Sequence, residues 1–347
     1  MANVDRSAVS PLTLPQNRYP TGWFQVAWSE DLAVGDVKLL RYFGQDIVLW
    51  RGASGQAHAL DAYCLHLGGN LGVKGQVVGD DIECPWHGWT WDGAGCNTLI
   101  PYSAQKCKPN LRIKTWSVRE GYGCLNLWHD VAGREPLWDP PVIDELDSGA
   151  YFDFTPDMKV VHRIKAHPQM VAENGADFYH VVKVHGAGEI PRFVTFDFTE
   201  HRFHAEVAIT YGAGKESTWL TPNGPVTETL EFNLWGIGQG AVVWRGDLLP
   251  SVQVTNVTPV DETYSDYWFC MTVKRGDGDT SDGPTGIMRK MLDHQMKTIE
   301  QDFFTWENMK VLHTPNFAVE EAQHYSALRR WAWQFYPQQL DEEGAAG

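Results

Sequence analysis

Four residues arranged as two close pairs are the first chemistry in this sequence. Cys64-Leu65-His66 is followed, after seventeen intervening residues, by Cys84-Pro85-Trp86-His87. Both pairs mix a thiol with an imidazole, and both sit among glycines: Gly68, Gly69 and Gly72 after the first, Gly88 after the second. That set suits a two-iron, two-sulfide centre in which one iron takes both thiolates and the other both imidazoles. Two neutral imidazoles in place of thiolates raise the potential above that of an all-cysteine cluster. The glycines let the loops wrap closely and aim backbone N–H groups at sulfur. Structural zinc held by the same Cys2His2 set is the alternative that four residues alone leave open. Cys96, Cys107, Cys124 and Cys270 have no comparable partners and read as packing residues or free thiols.

A second constellation lies in Glu173-Asn174-Gly175-Ala176-Asp177-Phe178-Tyr179-His180-Val181-Val182-Lys183-Val184-His185. His180 and His185 are five apart, about 140° around an undisturbed helix, so the helix must end or bend between them. Gly186 and Gly188 favour an ending. Two imidazoles and one distant carboxylate form the facial set used for non-haem Fe(II), with positions left for oxygen and water. Asp302 is the candidate carboxylate, and by chemistry alone Glu300 and Glu307 compete with it. The plain reading of Asp177 and His180 is an i,i+3 surface pair bonded to each other.

The two cysteine–histidine loops resemble those of Rieske proteins of the oxygenase type, without the extra loop cysteines of respiratory Rieske proteins. The run from Glu173 to His185 matches the Glu-Asn-x-x-Asp-x-x-His-x-x-x-x-His pattern of Rieske non-haem iron oxygenases. The resemblance implies Cys64, His66, Cys84 and His87 as [2Fe-2S] ligands and His180, His185 and Asp302 as ligands of a mononuclear iron, with Asn174 near that iron. It gives Asp177 a role as an electron-transfer bridge: His87 of one subunit would meet Asp177 of the next, which also holds His180. Within the family the chain is most similar to the 3-ketosteroid 9-alpha-hydroxylase oxygenase group. Leu60-Asp61-Ala62-Tyr63-Cys64, Ile100-Pro101-Tyr102, Trp306-Glu307-Asn308, Leu328-Arg329-Arg330-Trp331 and Gln334-Phe335-Tyr336 carry this likeness, whereas Gly88 stands where those hydroxylases usually have Asp.

The resemblance therefore implies the terminal oxygenase of a multicomponent monooxygenase. It would use O2, with electrons from NADH or NADPH reaching it through a separate flavin/iron-sulfur reductase and, in some systems, a ferredoxin. A homotrimer is the expected assembly and a rigid apolar polycycle such as a 3-ketosteroid the expected substrate. An aromatic, terpenoid or bile-acid substrate, with hydroxylation, desaturation or dealkylation, is the alternative. In another class, the chain would be a Rieske electron carrier with structural histidines. The substrate pocket would draw on the run from Val207 to Trp244 and on Phe178, Met291 and Phe303.

Elements of two kinds must position these groups. From Trp23 to His129 the segments are short and β-rich, among them DIVLWR, HALDAYC and YGCLNLWH, separated by Gly, Asp and Asn turns. Beyond an acidic, proline-rich stretch around residues 133–150, strands are predicted at YFDFT, MKVVHRIKA, FVTFDF, RFHAEVAIT, TETLEFNLW, GAVVWRG, VQVTNVTPV and DYWFCMTV. Helices are predicted from Pro168 to Val184 and, with a break near the middle, from Pro284 to Leu312. The expected class is α+β. An arm (1–20) leads into a small antiparallel β Rieske domain (21–130). A catalytic domain (131–336) follows, with a central antiparallel sheet and a long C-terminal helix, and then a frayed tail (337–347). The resemblance implies a helix-grip, START-like fold for the catalytic domain.

Charge follows the same division. The chain carries a formal −16, of which −1 falls in residues 1–130 and −15 in the remainder. That balance argues against a broad nucleic-acid or anionic-membrane surface. With neither a signal-peptide pattern nor an apolar run of about 18 residues, the expected location is cytoplasmic.

Overall fold

A computed structural model describes residues 19–104, 110–248, 250–310, 312 and 315–336. The expected arm up to residue 18, the tail after residue 336 and Cys107 lie outside the described residues. Two compact units emerge, one of Gly22–Pro140 with Thr258–Glu262, the other of Pro141–Val257 with the residues from Thr263 onward.

Among the described residues, the first unit has eleven short strands: β1 (Gly22–Trp28), β2 (Val37–Tyr42), β3 (Gln45–Arg51), β4 (Ala57–Asp61), β5 (Gln76–Val78), β6 (Asp81–Glu83), β7 (Thr90–Trp91), β8 (Asn97–Leu99), β9 (Thr115–Trp116), β10 (Val118–Gly121) and β11 (Cys124–His129). They form three sheets with orders β1-β11-β10, β2-β3-β4-β9 and β5-β6-β7-β8, and every pairing is antiparallel. All seven residues of β1 are buried, Gln25 among them, so alternation would not reveal the strand. Trp50, Leu60, Leu71, Ile82 and Trp91 close a core that also contains Cys64 and Cys84. The thiols are therefore anchored in the hydrophobic interior of the unit.

The second unit is organised by a seven-stranded sheet. Its strands are β12 (Lys159–Ile164), β13 (Arg192–Phe198), β14 (Arg202–Tyr211), β15 (Val226–Trp235), β16 (Gln239–Trp244), β17 (Ser251–Pro259) and β18 (Ser265–Val273), in the order β12-β18-β17-β16-β15-β14-β13. From β13 to β17 the chain meanders antiparallel, and β12 pairs antiparallel with β18. Phe203, Ala205 and Val207 of β14 are buried while their neighbours are not, the period-2 signature of a strand with one covered face. The predicted YFDFT strand is not one: Tyr151 makes only an isolated bridge to Lys274. A lone bridge lacks the neighbouring ladder bonds that hold a strand in register.

Among the described residues, six helices complete the second unit: α1 (Asp144–Asp147), α2 (Pro168–Ala172), α3 (His180–Val184), α4 (Gly286–Ile299), α5 (Phe303–Asn308) and α6 (Val319–Ala332). The continuous helix expected over 168–184 is three pieces: α2, a 3-10 turn at Glu173–Ala176 and, after an extended Asp177 (φ −116°, ψ 99°), α3. The reason lies at Gly175. A Cβ there would stand 2.5 Å from Phe232 Cε1 and 2.9 Å from Phe203 Cε1, so the turn runs against the sheet with no room for a side chain. The late helix breaks at a 3-10 turn, Glu300–Asp302, between α4 and α5. No helix among the described residues is long and apolar enough to cross a membrane.

Candidate metal centres

In the first unit, the loop after β4 carries Cys64 and His66, and the loop between β6 and β7 carries Cys84 and His87. The two loops repeat one hydrogen-bond pattern. Cys64 N donates to Gly69 O (2.8 Å) and Gly68 N to Cys64 O (2.9 Å); Cys84 N donates to Trp89 O (2.8 Å) and Gly88 N to Cys84 O (3.0 Å). The fourth residue after each cysteine closes its turn with positive φ, +77° at Gly68 and +72° at Gly88. Glycine is the residue that adopts this conformation without steric cost.

These turns bring the four side chains together. The rings of His66 and His87 stand edge to face with centroids 4.6 Å apart, and Trp89 stacks on His66 at 4.5 Å. Both thiols are buried and unbridged. Burial pushes the Cys64 thiol up, against a hydrogen bond from the His66 backbone N–H. His66 Nδ1 is buried with no protein partner. An orphaned imidazole nitrogen beside two buried thiols is costly unless something binds it, and an iron–sulfur cluster would supply the missing bond. Cys124 and Cys270 are buried thiols and Cys96 is half-buried, as packing residues would be.

In the second unit, backbone discontinuities gather the other set. His180 is the first residue of α3, His185 caps its C-terminus before Gly186 (φ +70°), and Asp302 ends the 3-10 turn between α4 and α5. One ligand atom from each lies within 4.8 Å of the others. Asp302 Oδ1 is 3.2 Å from His185 Nε2 and 3.9 Å from His180 Nε2. The opposite side of each group is held. His180 Nδ1 lies 3.3 Å from Asp177 Oδ2, His185 Nδ1 lies 2.9 Å from Gln301 Oε1, and Asn174 Nδ2 donates to Asp302 Oδ2 at 3.1 Å. This is the pattern by which partners outside the coordination sphere fix a ligand's tautomer and direction. Burial works against protonation of His185, yet the Asp302 carboxylate and Gln301 oxygen hold its pKa above the ordinary imidazole range. Glu300 and Glu307 face away, toward His162 Nε2 (3.4 Å) and the Lys165 backbone N–H (3.4 Å).

Asp177 accepts from the Tyr179 and His180 backbone N–H groups through Oδ1, at 3.0 and 3.3 Å. Burial raises its pKa, but His180 and the Tyr325 hydroxyl together hold it below the usual carboxylate value. Tyr325 in turn is pushed well up by burial and by Asp177. Glu173 is gripped by Arg329, with Nε–Oε1 2.8 Å and Nη2–Oε2 2.7 Å, both side chains 8% exposed. Tyr325 and Arg329 both come from α6, which sequence periodicity missed.

A cavity of about 540 Å³ opens on this triad. Val207, Leu230, Phe232, Val242 and Trp244 of the sheet wall it, with Phe178 and Met291 from the helical side. Phe303, expected there, packs instead against Tyr267 (5.2 Å) and Trp306 (6.0 Å) in the core between α5 and β18. It follows Asp302 by one residue and so points off the ligand face.

The Rieske [2Fe-2S] domain family matches residues 22–117, and the 3-Ketosteroid 9alpha-hydroxylase C-terminal domain family matches residues 127–336. The chain belongs to the Rieske non-haem iron oxygenases. It is related to the oxygenase component of 3-ketosteroid-9-alpha-monooxygenase from Rhodococcus rhodochrous, with 27% identity over 94% of this chain and 86% of that one. It is 31% identical to a cholesterol 7-desaturase of Hemicentrotus pulcherrimus, over 92% of this chain and 70% of the relative. In fold it is similar to the carbazole-bound oxygenase in a ferredoxin complex of carbazole 1,9a-dioxygenase, with TM-score 0.61, 19% identity and coverage of 98% and 96%. As a Rieske oxygenase the chain is a terminal oxygenase component, an oxidoreductase with a mononuclear iron site at His180, His185 and Asp302.

Proposed function

We propose that this Rieske oxygenase is the terminal component of a monooxygenase that hydroxylates a rigid apolar polycycle of the 3-ketosteroid kind. The observation that carries the reading is the 540 Å³ apolar cavity ending on the His180–His185–Asp302 triad. That volume is within the roughly 300–1,000 Å³ of sites that bury a small organic molecule. Cys64 and Cys84 are assigned to one iron of the cluster and His66 and His87 to the other. When bound, the cluster supplies single electrons and the mononuclear iron activates dioxygen.

The chain's own residues orient and enclose. Asn174 fixes the Asp302 carboxylate, Gln301 fixes His185, and the Asp177 carboxylate, 3.3 Å from His180 Nδ1, favours the tautomer that leaves His180 Nε2 facing inward. In a homotrimer, Asp177 would also receive His87 of the partner subunit, giving electrons a hydrogen-bonded route into the iron site. Gln253 lines the cavity with a buried Oε1 that accepts no protein hydrogen bond, suited to a hydroxyl donor on an otherwise apolar substrate. Electrons would arrive from NADH or NADPH through a separate reductase or a ferredoxin. Exposed Leu67 and Trp86 beside the cluster histidines support docking there. The test is turnover with a surrogate reductase against 3-ketosteroids, sterols, bile acids, terpenoids and aromatic acids, following product and oxygen uptake together. Product from the steroids alone supports the reading, and product from aromatic acids alone overturns it. Desaturation is the second reading, favoured by the 31% identity to cholesterol 7-desaturase; a ring alkene in place of an alcohol would establish it.

A further inference from the structure

A second, smaller cavity of about 100 Å³ borders the same iron site. It shares Asn174, Phe232, Val242, Gln253, Ile299 and Asp302 with the large cavity, so the two meet at the carboxylate ligand and its holder. Its origin is legible in the sheet register. Phe203, Leu234, Gly240 and Thr255 are paired across β14, β15, β16 and β17 and form one row on the covered face. In the next row stand Ala205, Phe232, Val242 and Gln253. Where the second row has Val242, the first has Gly240 and therefore no side chain. Opposite, α2 contributes Val171 and the small Ala172. The missing side chain at Gly240 and the short one at Ala172 leave a hole beside Asp302.

We propose that this chamber takes up dioxygen and delivers it to the iron site while the large cavity is filled by substrate. The inference rests on the iron assignment made above. Two observations carry it. The chamber falls below the roughly 300 Å³ at which sites for small organic molecules begin, so no polycycle enters it. Val171, Leu234, Ile237, Ala241 and Val257 make most of its lining apolar, and apolar cavities of about this order stay dry and accept small apolar guests such as xenon. Besides Asp302, residues Asn174, Gln239, Gln253, Thr255 and Tyr267 make up the polar minority of the lining, so water is the competing occupant. Dioxygen is small and apolar, and a substrate that packs the large cavity would block that approach.

Xenon is the probe. Crystals of the metal-loaded enzyme, pressurised with xenon, should show an anomalous peak in the chamber with or without a steroid in the large cavity. Gly240→Ala places a methyl 3.1 Å from Leu234 Cδ2 and 3.3 Å from the Thr255 carbonyl oxygen, and Ala172→Val fills the chamber from the helix side should the first variant not fold. Either should abolish the xenon peak. The oxygen concentration for half-maximal uptake with a surrogate reductase, coupled or uncoupled, should rise several-fold, with binding of androst-4-ene-3,17-dione unchanged. Ile209→Phe, in the large cavity only, should weaken steroid binding and leave xenon in place. Ordered water filling the chamber in place of xenon overturns the proposal, as does loss of the peak with no change in oxygen dependence. Xenon occupancy needs no turnover. Failure of the iron assignment would appear separately, as missing iron in the unsubstituted enzyme.

Discussion

Arg329→Met asks whether α6 holds the iron-site motif in place. The guanidinium makes two charge-assisted hydrogen bonds to Glu173, at 2.8 and 2.7 Å, and Gln169 Nε2 adds a third at 3.1 Å. Methionine keeps the apolar stem and removes the charge, leaving a carboxylate that is 8% exposed without its counter-ion. Breaking a buried pair by removing one partner costs about 3–5 kcal/mol. At roughly 2–4 °C per kcal/mol for a domain of this size, the melting temperature should fall by roughly 6–20 °C. The consequence reaches the metal because Glu173 opens the 3-10 turn whose next residue, Asn174, holds Asp302. Loss of a ligand's positioning partner typically weakens metal binding about 10- to 100-fold. Thermal unfolding read by tryptophan fluorescence, with iron titrated into the chelated protein, measures both. Combining Glu173→Leu with Arg329→Met removes both charges and should recover most of the lost stability. A single variant melting within about 2 °C of the unsubstituted protein and binding iron equally well refutes the reasoning. So does a double variant no better than the single one.

Asp302→Ala should lower iron from about three to about two per chain while two acid-labile sulfides and the visible spectrum of the cluster persist; product formation should cease, and undiminished turnover would mean another residue is the ligand. Asp177→Asn should leave both metals bound and slow electron delivery, measured as single-turnover oxidation of the reduced cluster; an unchanged rate sinks the bridging role. At the cluster loops, Gly88→Ala should be worse than Gly68→Ala. Both impose a positive φ on alanine at about 1–2 kcal/mol, but only the Cβ at position 88 meets another atom, Pro101 Cγ at 2.9 Å. Cluster content by visible absorbance should rank the unsubstituted protein first, Gly68→Ala second and Gly88→Ala last; the reverse order of the two variants would show that loop strain, not the Pro101 contact, limits assembly.

The two ligand sets were legible for different reasons. Cys64, His66, Cys84 and His87 are readable because each pair is local and its turn is written in the next residues, Gly68 and Gly88. Asp302 lies 117 positions beyond His185, and among Glu300, Asp302 and Glu307 the choice came from family pattern; only the structure supplies the geometry that singles it out. What stayed hidden was support from a distance. Arg329 and Tyr325 act on Glu173 and Asp177 from about 150 positions away in sequence, and nothing in the local period of α6 marks either as bonded.

The two helix interruptions share one cause. A continuous helix repeats its faces every 3.6 residues; the region 168–184 contains enough apolar residues at that period to suggest one helix, whereas the break expected near the middle of 284–312 is there, at Glu300–Asp302. Metal ligation needs side chains that such a helix cannot aim at one point: His180 and His185 would diverge by about 140°. The chain resolves this by stopping. His180 begins α3, His185 ends it, and Asp302 closes a 3-10 turn between two helices. Interrupted backbone leaves N–H and C=O groups that need other partners, and here Asp177 takes the N–H groups of Tyr179 and His180. One carboxylate thus caps the break and orients the histidine that the break makes available, which is why Asp177→Asn, which keeps an acceptor oxygen for the cap, is the substitution that separates the two duties.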